Sequence, residues 1–238
     1  MDFITVELFG ITWFRPNNLL TNILVGMVGI YLFLRVDRKN QQKDSYLYLW
    51  MGFFLLVGLG GTIGGFAHAF NYDFPEVRHT YLHKIAWSVG GAGLFLGELA
   101  AIQFIPNKTI RKILQVLSTL VLLYYIFFLY YSHEYNLGNF NHFDIVRFHS
   151  VYALLVVILP IHIFSLIQRQ NTGAWWVIGG IATLATTVIF YNYKISFHEW
   201  FDFNDISHFL EIICLILMCI GILEGYEKLK GGQLAVNE

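Results

Sequence analysis

Residues 46 to 70 read YLYLWMGFFLLVGLGGTIGGFAHAF, a run without a single Lys, Arg, Asp or Glu. A helix rises about 1.5 Å per residue and the hydrocarbon of a bilayer is about 30 Å thick, so roughly 20 apolar residues cross it. The stretch is long enough, lacks period-two alternation, and therefore reads as a membrane-spanning helix and not as a barrel strand. The rest of the chain is of the same kind. Of its 238 residues 56% are hydrophobic and 13% charged, with a mean hydropathy of +0.56, against about 25% charged in a soluble domain. Working outward, hydropathy and flanking charge place helices near Asn18–Val36, Tyr46–Phe70, His79–Ile105, Ile110–Tyr131, Phe143–Ile167, Ala174–Tyr193 and Asp205–Tyr226. The expected fold is all-α, one seven-helix transmembrane domain over residues 1–238, with no long linker and no removable signal peptide ahead of Arg15 and Pro16.

The connection after the first helix carries Arg35, Arg38, Lys39 and Lys43, that after the third Lys108, Arg111 and Lys112, that after the fifth Arg169, and the tail Lys228 and Lys230. The opposite side holds only Arg15, Arg78, Arg147 and Lys194, with Lys84 just inside the third helix. Positive loops stay in the cytoplasm, so the N-terminus is expected outside and the C-terminus inside a cell membrane, with Tyr46, Tyr48, Trp50, Trp175 and Trp176 in the inner aromatic belt. A net charge of -1, with no basic run left over, excludes a nucleic-acid partner. Cys214 and Cys219 lie five apart in one apolar block, too far round a helix to pair readily, and read as packing residues.

On this topology all of the nine histidines except His162 fall on the outer side. His68 ends the second helix, and Gly61, Gly64 and Gly65 leave the face before it almost bare. Small residues at that spacing let another helix approach closely; the same bare backbone makes room for a ligand or metal beside His68. His79 and His83 are i and i+4 at the start of the third helix, a separation at which two imidazoles can share one metal, and a solvated role is equally open to each. At the start of the seventh helix Asn204, His208 and Glu211 stand at i, i+4 and i+7, with Asp205 one turn before His208. Asn204 or Asp205 supplies the N-cap. A cap does not account for His208 and Glu211, which as unpaired polar groups in hydrocarbon would cost several kcal/mol each, so partners are implied. Imidazole and carboxylate are zinc ligands, and a catalytic zinc takes about three protein ligands plus a water whose pKa it lowers toward ~7. Asp205 or Glu211 then orients a ligand or serves as base.

The arrangement resembles the CREST superfamily, the seven-helix membrane hydrolases that include alkaline ceramidases and the progestin and adipoQ receptors. That family has a serine four residues before a histidine at the end of helix two, an aspartate at the start of helix three and His-x-x-x-His at the start of helix seven, with three histidines on zinc. Gly-Gly-Phe-Ala-His, ending at His68, is similar to the first motif, and Asn-Asp-Ile-Ser-His, residues 204 to 208, to the last. Gly64 occupies the serine position with Thr62 nearby, Asn204 the first histidine's, and His79 replaces the aspartate. His68 and His208 carry over directly, and the third ligand comes from Asp205, His79 or His83. The resemblance implies a zinc-dependent hydrolase of a lipid amide or ester entering from the outer leaflet. Its candidate metal ligands are His68, His79, His83 and His208, its candidate catalytic residue is Asp205, and its partners are membrane lipids. With the serine and one histidine replaced, the alternative is a non-catalytic receptor or ligand-binding protein with a degenerate metal site. A haem carrier fits less well, because the histidines gather with carboxylates near one boundary. A retinal Schiff base is excluded, since no lysine stands between Lys194 and Lys228.

Overall fold

The structure is a computed structural model that describes residues 4–8, 10–70, 76–131, 142–169 and 171–236; the side chains of 8, 11, 76–80, 142, 169 and 228–236 fall outside the description. Helix α1 (Pro16–Lys39) begins with proline in its first turn, where the missing N–H costs nothing. Helix α2 (Ser45–Ala69) is capped by Asp44, which accepts from the Tyr46 N–H at 2.8 Å. Helix α3 (Glu76–Ile102) is followed by α4 (Lys108–Tyr131), at whose start Asn107 Oδ1 accepts from the Thr109 and Ile110 N–H groups at 2.9 and 3.1 Å. The fifth span, Phe143–Gln168, is made of α5 (His142–Val151), a π-helical segment Tyr152–Ile158 and α6 (Leu159–Arg169). The sixth, Ala174–Tyr193, is α7 (Ala174–Ala185) and α8 (Thr187–Tyr193), interrupted at Thr186, whose hydroxyl bonds back to the Thr183 carbonyl at 2.7 Å. Helix α9 (Phe203–Val236) supplies the seventh. All seven spans are long and apolar enough to cross a bilayer, which makes this a multi-pass integral membrane protein.

Ahead of α1 the chain departs from a purely α-helical fold. Strands β1 (Thr5–Leu8) and β2 (Ile11–Phe14) pair antiparallel, Thr5 opposite Phe14 and Leu8 opposite Ile11. A two-stranded hairpin is marginal alone. This one is tied down where Trp13 packs its ring 5.3 Å from that of Phe70, just after α2, and where the next residue but one, Arg15, pairs with Asp202 at 3.5 Å.

Helix α2 sits between α1 and α3, and glycine is what lets it. A Cβ at Gly29 of α1 would lie 2.6 Å from the Phe54 carbonyl oxygen and 2.8 Å from Gly58 Cα; one at Gly60 would lie 2.8 Å from the Gly90 nitrogen of α3. Both approaches are backbone against backbone, the close packing that small residues permit in lipid. The dense core, with Trp50, Phe53, Phe54, Ile102, Ile158 and Met218 fully buried, fills the half of the bundle that holds the start of α2 and the ends of α3 and α9. The other half, where His68, His83, His149 and His208 lie, is hollow. Gly58→Leu is expected to cost about 1–3 kcal/mol or more through overpacking, seen as a lowered thermal unfolding midpoint in detergent micelles. Gly179→Ala, whose added methyl meets nothing within 4 Å, should leave the midpoint unchanged.

Candidate functional site

The hollow half holds a chamber, partly open to the outside, of about 690 Å³, a size usual for small-molecule sites of about 300–1,000 Å³. Val57, Leu94, Leu154, Ile181 and Met218 give it apolar walls, while His68, His83, His208 and Glu211 bring polar groups to it. Of the glycines before His68, Gly61 and Gly65 are occupied by α1, since Cβ atoms there would meet Val25 at 3.1 Å and Asn22 at 2.6 Å. Gly64 faces the chamber, with only Ala86 Cβ at 3.8 Å. Both roles anticipated for the bare face, helix packing and room beside His68, are therefore present on one helix.

His68 and His83 meet across the α2–α3 contact, ring centroids 4.6 Å apart at 66°, and His83 is buried with Trp87 stacked on its other side at 5.2 Å. His208 approaches from α9 with a different set of partners. Its Nδ1 lies 2.9 Å from Thr21 Oγ1 on α1, and Thr21 donates to Asp205 Oδ1 at 3.0 Å. Asn22 Nδ2 is 3.4 Å from the same ring nitrogen, but its two hydrogens are used on Asn18 O and Oδ1, each at 2.8 Å. The Thr21 hydroxyl also reaches the Asn18 carbonyl oxygen at 3.1 Å; when its one hydrogen goes to Asp205 Oδ1, the Nδ1–H of His208 donates to Thr21 and Nε2 carries the lone pair. Asp205 does not line the chamber. It stands behind His208, and through Thr21 it positions that imidazole.

The same carboxylate also builds the helix start. Asp202 Oδ1 accepts from the N–H groups of Asn204 at 2.7 Å and Asp205 at 3.3 Å, and Asp205 Oδ2 accepts in return from the Asp202 N–H at 3.1 Å. This is a capping box with aspartate at both ends. The N-cap is thus Asp202, ahead of both Asn204 and Asp205, and the Asp-x-x-Asp spacing was the signal for it. Asn204 instead lines the chamber.

Among the described residues no three His, Cys, Asp or Glu side chains stand close enough together to hold one metal ion. His68 and His83 form a pair, His208 is turned to Thr21, and the side chain of His79 lies outside the described residues. The remaining histidines separate by environment. His162 is a core residue, its Nδ1 2.8 Å from the Ile158 carbonyl of its own helix; His198 is exposed and accepts from the Trp200 N–H at 3.2 Å; His133 and the side chain of His142 are outside the description. His149 is one of the histidines that the topology puts on the outer side. It is buried, lines the chamber and has Glu98 of α3 behind it at 3.9 Å. Glu98 was findable, as the one acidic residue in the apolar block of the third helix.

Thr21→Val keeps the shape of the hydroxyl-bearing side chain and strands Asp205 Oδ1 and His208 Nδ1, at an expected cost of about 1–3 kcal/mol for buried groups left unsatisfied. Thr21→Ser should restore it. Thermal unfolding reports the stability, and nitrogen NMR of the imidazole reports whether His208 has lost its fixed Nδ1–H tautomer.

A family model described as "Family of unknown function (DUF6962)" matches residues 18–227, nearly the whole helical bundle. No curated protein and no solved structure matches the chain.

Proposed function

The chain belongs to the DUF6962 family of unknown function, and we propose that it is an intramembrane hydrolase that cleaves the amide or ester bond of a lipid held in the chamber. The observation that carries this reading is His208. It is an imidazole at the edge of an apolar cavity, with Nδ1 2.9 Å from Thr21 Oγ1 and Asp205 on the far side of that hydroxyl, an arrangement that supports Nε2 as the base. The acyl chain lies against the apolar walls and the scissile carbonyl at the polar end. His208 Nε2 takes a proton from water as its oxygen bonds to the carbonyl carbon. The imidazolium so formed is supported across Nδ1–H by Thr21 and the Asp205 carboxylate, and it then returns the proton to the leaving nitrogen or oxygen. The products are a fatty acid and an amine or alcohol. N–H donors of the His68–His83 pair, at the same end of the chamber, meet the charge that develops on the carbonyl oxygen. The similarity of the His68 and His208 motifs to the CREST hydrolases supports the same assignment. The basic residues gathered at the opposite end of the bundle support an outer-leaflet position for the polar end, with the N-terminus outside.

Zinc is a second reading, favoured by the 4.6 Å approach of the His68 and His83 rings. Those two would be its ligands, with His79 the nearest further histidine in the sequence. The described residues fall one ligand short of a catalytic zinc site, and no step above passes through a metal.

Purified protein in nanodiscs, given single-chain N-acyl and O-acyl lipids, is expected to release fatty acid measurable by mass spectrometry. His208→Ala should lower that rate by on the order of a hundredfold or more, the usual share of a positioned acid–base group. Binding of such lipids with no turnover of any of them would replace the hydrolase with a receptor or ligand-binding protein. Elemental analysis separates the two forms of the chemistry: about one zinc per chain, lost in His68→Ala, supports the metal reading. No transition metal in protein never exposed to chelator leaves catalysis to the imidazoles alone.

A further inference from the structure

Glu98 of α3 and His149 of α5 are 0% and 1% exposed at their side chains. His149 Nε2 lies 3.9 Å from Glu98 Oε1, too far for a hydrogen bond. By hydrogen-bond geometry neither Glu98 oxygen, nor His149 Nε2, nor the hydroxyl of Ser118, which lies beside Glu98 on α4, has a partner among the described residues. Buried polar atoms left in this way need an explanation, and an ordered water or a mobile proton is the usual one. Among the described residues the side chains packed directly on the pair carry no charge, while Arg147, paired with Asp144, and Glu211 line the chamber that His149 also lines. Facing α3 at this level, α2 brings Phe53 against Gly97 and Val57 against Gly93. Helix α4 brings Ser118 and Tyr125, whose ring stacks on His149 at 4.4 Å and whose hydroxyl donates to the Trp87 carbonyl at 2.8 Å. The π-helical segment brings Tyr152 and Ile158, and His162 of α6 is bonded to its own helix. Among the described residues no lysine or arginine pairs with Glu98.

Electrical neutrality then limits the pair to few states. A carboxylate beside a neutral imidazole leaves an uncompensated negative charge in hydrocarbon, at several kcal/mol. A carboxylate and an imidazolium without a hydrogen bond between them do not recover the desolvation of two ions. Carboxylic acid beside neutral imidazole carries no charge at all. It has the same number of protons as the ion pair, so one proton can pass between the residues without changing the net charge. His149 also lines the chamber, whereas Glu98 does not.

We propose that Glu98 and His149 form an intramembrane proton-binding site, in which Glu98 holds a proton that His149 exchanges with the chamber. The Glu98 O–H bond breaks as the proton passes, across a bridging water, to His149 Nε2. The imidazolium then releases the proton from Nδ1 to a base in the chamber, water included, and return follows the reverse order. Glu98 and His149 take no part in the proposed hydrolysis, so proton binding at this pair and hydrolysis at His208 are independent of each other. The π-helical turn beginning three residues after His149 agrees with it, since such turns gather at functional sites.

Infrared spectroscopy of the protein in nanodiscs tests both residues. A C=O stretch of a protonated carboxylic acid is expected in the wild type, absent in Glu98→Gln, and separable from any contribution of Glu211 through Glu211→Gln. On transfer to deuterated water this band should shift, and in His149→Phe, which keeps a ring against Tyr125, the shift should slow by on the order of a hundredfold. His149→Gln, polar but unable to relay a proton, should behave as His149→Phe does. An acid band that survives Glu98→Gln unchanged overturns the assignment of the proton. Exchange as fast in both His149 variants as in the wild type overturns the route.

Discussion

The approach of Gly29 to Gly58, backbone against backbone, is the contact on which the rest of this protein depends. In lipid there is no hydrophobic drive to bring helices together, so association rests on close packing and on hydrogen bonds between them. Because α1 lies so near α2, its next turns toward the N-terminus set Asn22 against Gly65 and bring Thr21 within reach of α9. The opposite face of α2 meets α3 through Gly60 in the same manner. What remains of α2 beyond those contacts, Gly64 and His68, opens on the chamber. One helix with two stripped faces thus sets both the tightness of the bundle and the place where it is empty.

Polar groups in the hollow half are paired across helices that are distant in sequence. Thr21 and His208 come from the first and seventh spans, His68 and His83 from the second and third, and Glu98 and His149 from the third and fifth. The Thr21–His208 hydrogen bond removes part of the desolvation cost its members would carry alone, whereas Glu98 and His149 meet without one; every pairing brings two spans together. The Asp202–Asp205 capping box combines two functions: it satisfies the first N–H groups of α9 and holds the carboxylate that orients His208. The start of that helix and the polarity of the site are therefore one piece of chemistry.

The seven spans were legible in the sequence because hydropathy over about 20 residues is a strong signal that tertiary packing does not alter. Their ends were less so: α9 begins at Phe203, set by the Asp202 cap, and not at Asp205. His68, His83 and His208 could be singled out from helical spacing, and the structure brings all three to the chamber. Thr21 could not, since nothing in a sequence tells which helix lies against which. The exclusion of Asp205 from the chamber wall has the same origin. The β1–β2 hairpin went unread because two strands of four residues are too short to give a periodic signal. Glu98 was visible as a lone carboxylate in an apolar block, but its partner lies on another helix whose phase the sequence does not carry.

That phase is set by the π-helical segment. Within Tyr152–Ile158 the backbone bonds five residues back, as from the Leu159 N–H to the Leu154 carbonyl, and one residue is in effect inserted into the helix. In an α-helix one residue corresponds to a rotation of about 100°. Every side chain from Leu159 onward consequently faces about a quarter-turn away from where counting from His149 would put it. A helical wheel drawn through the whole span misassigns one of its two ends. The extra residue is confined to this stretch, between His149 and His162.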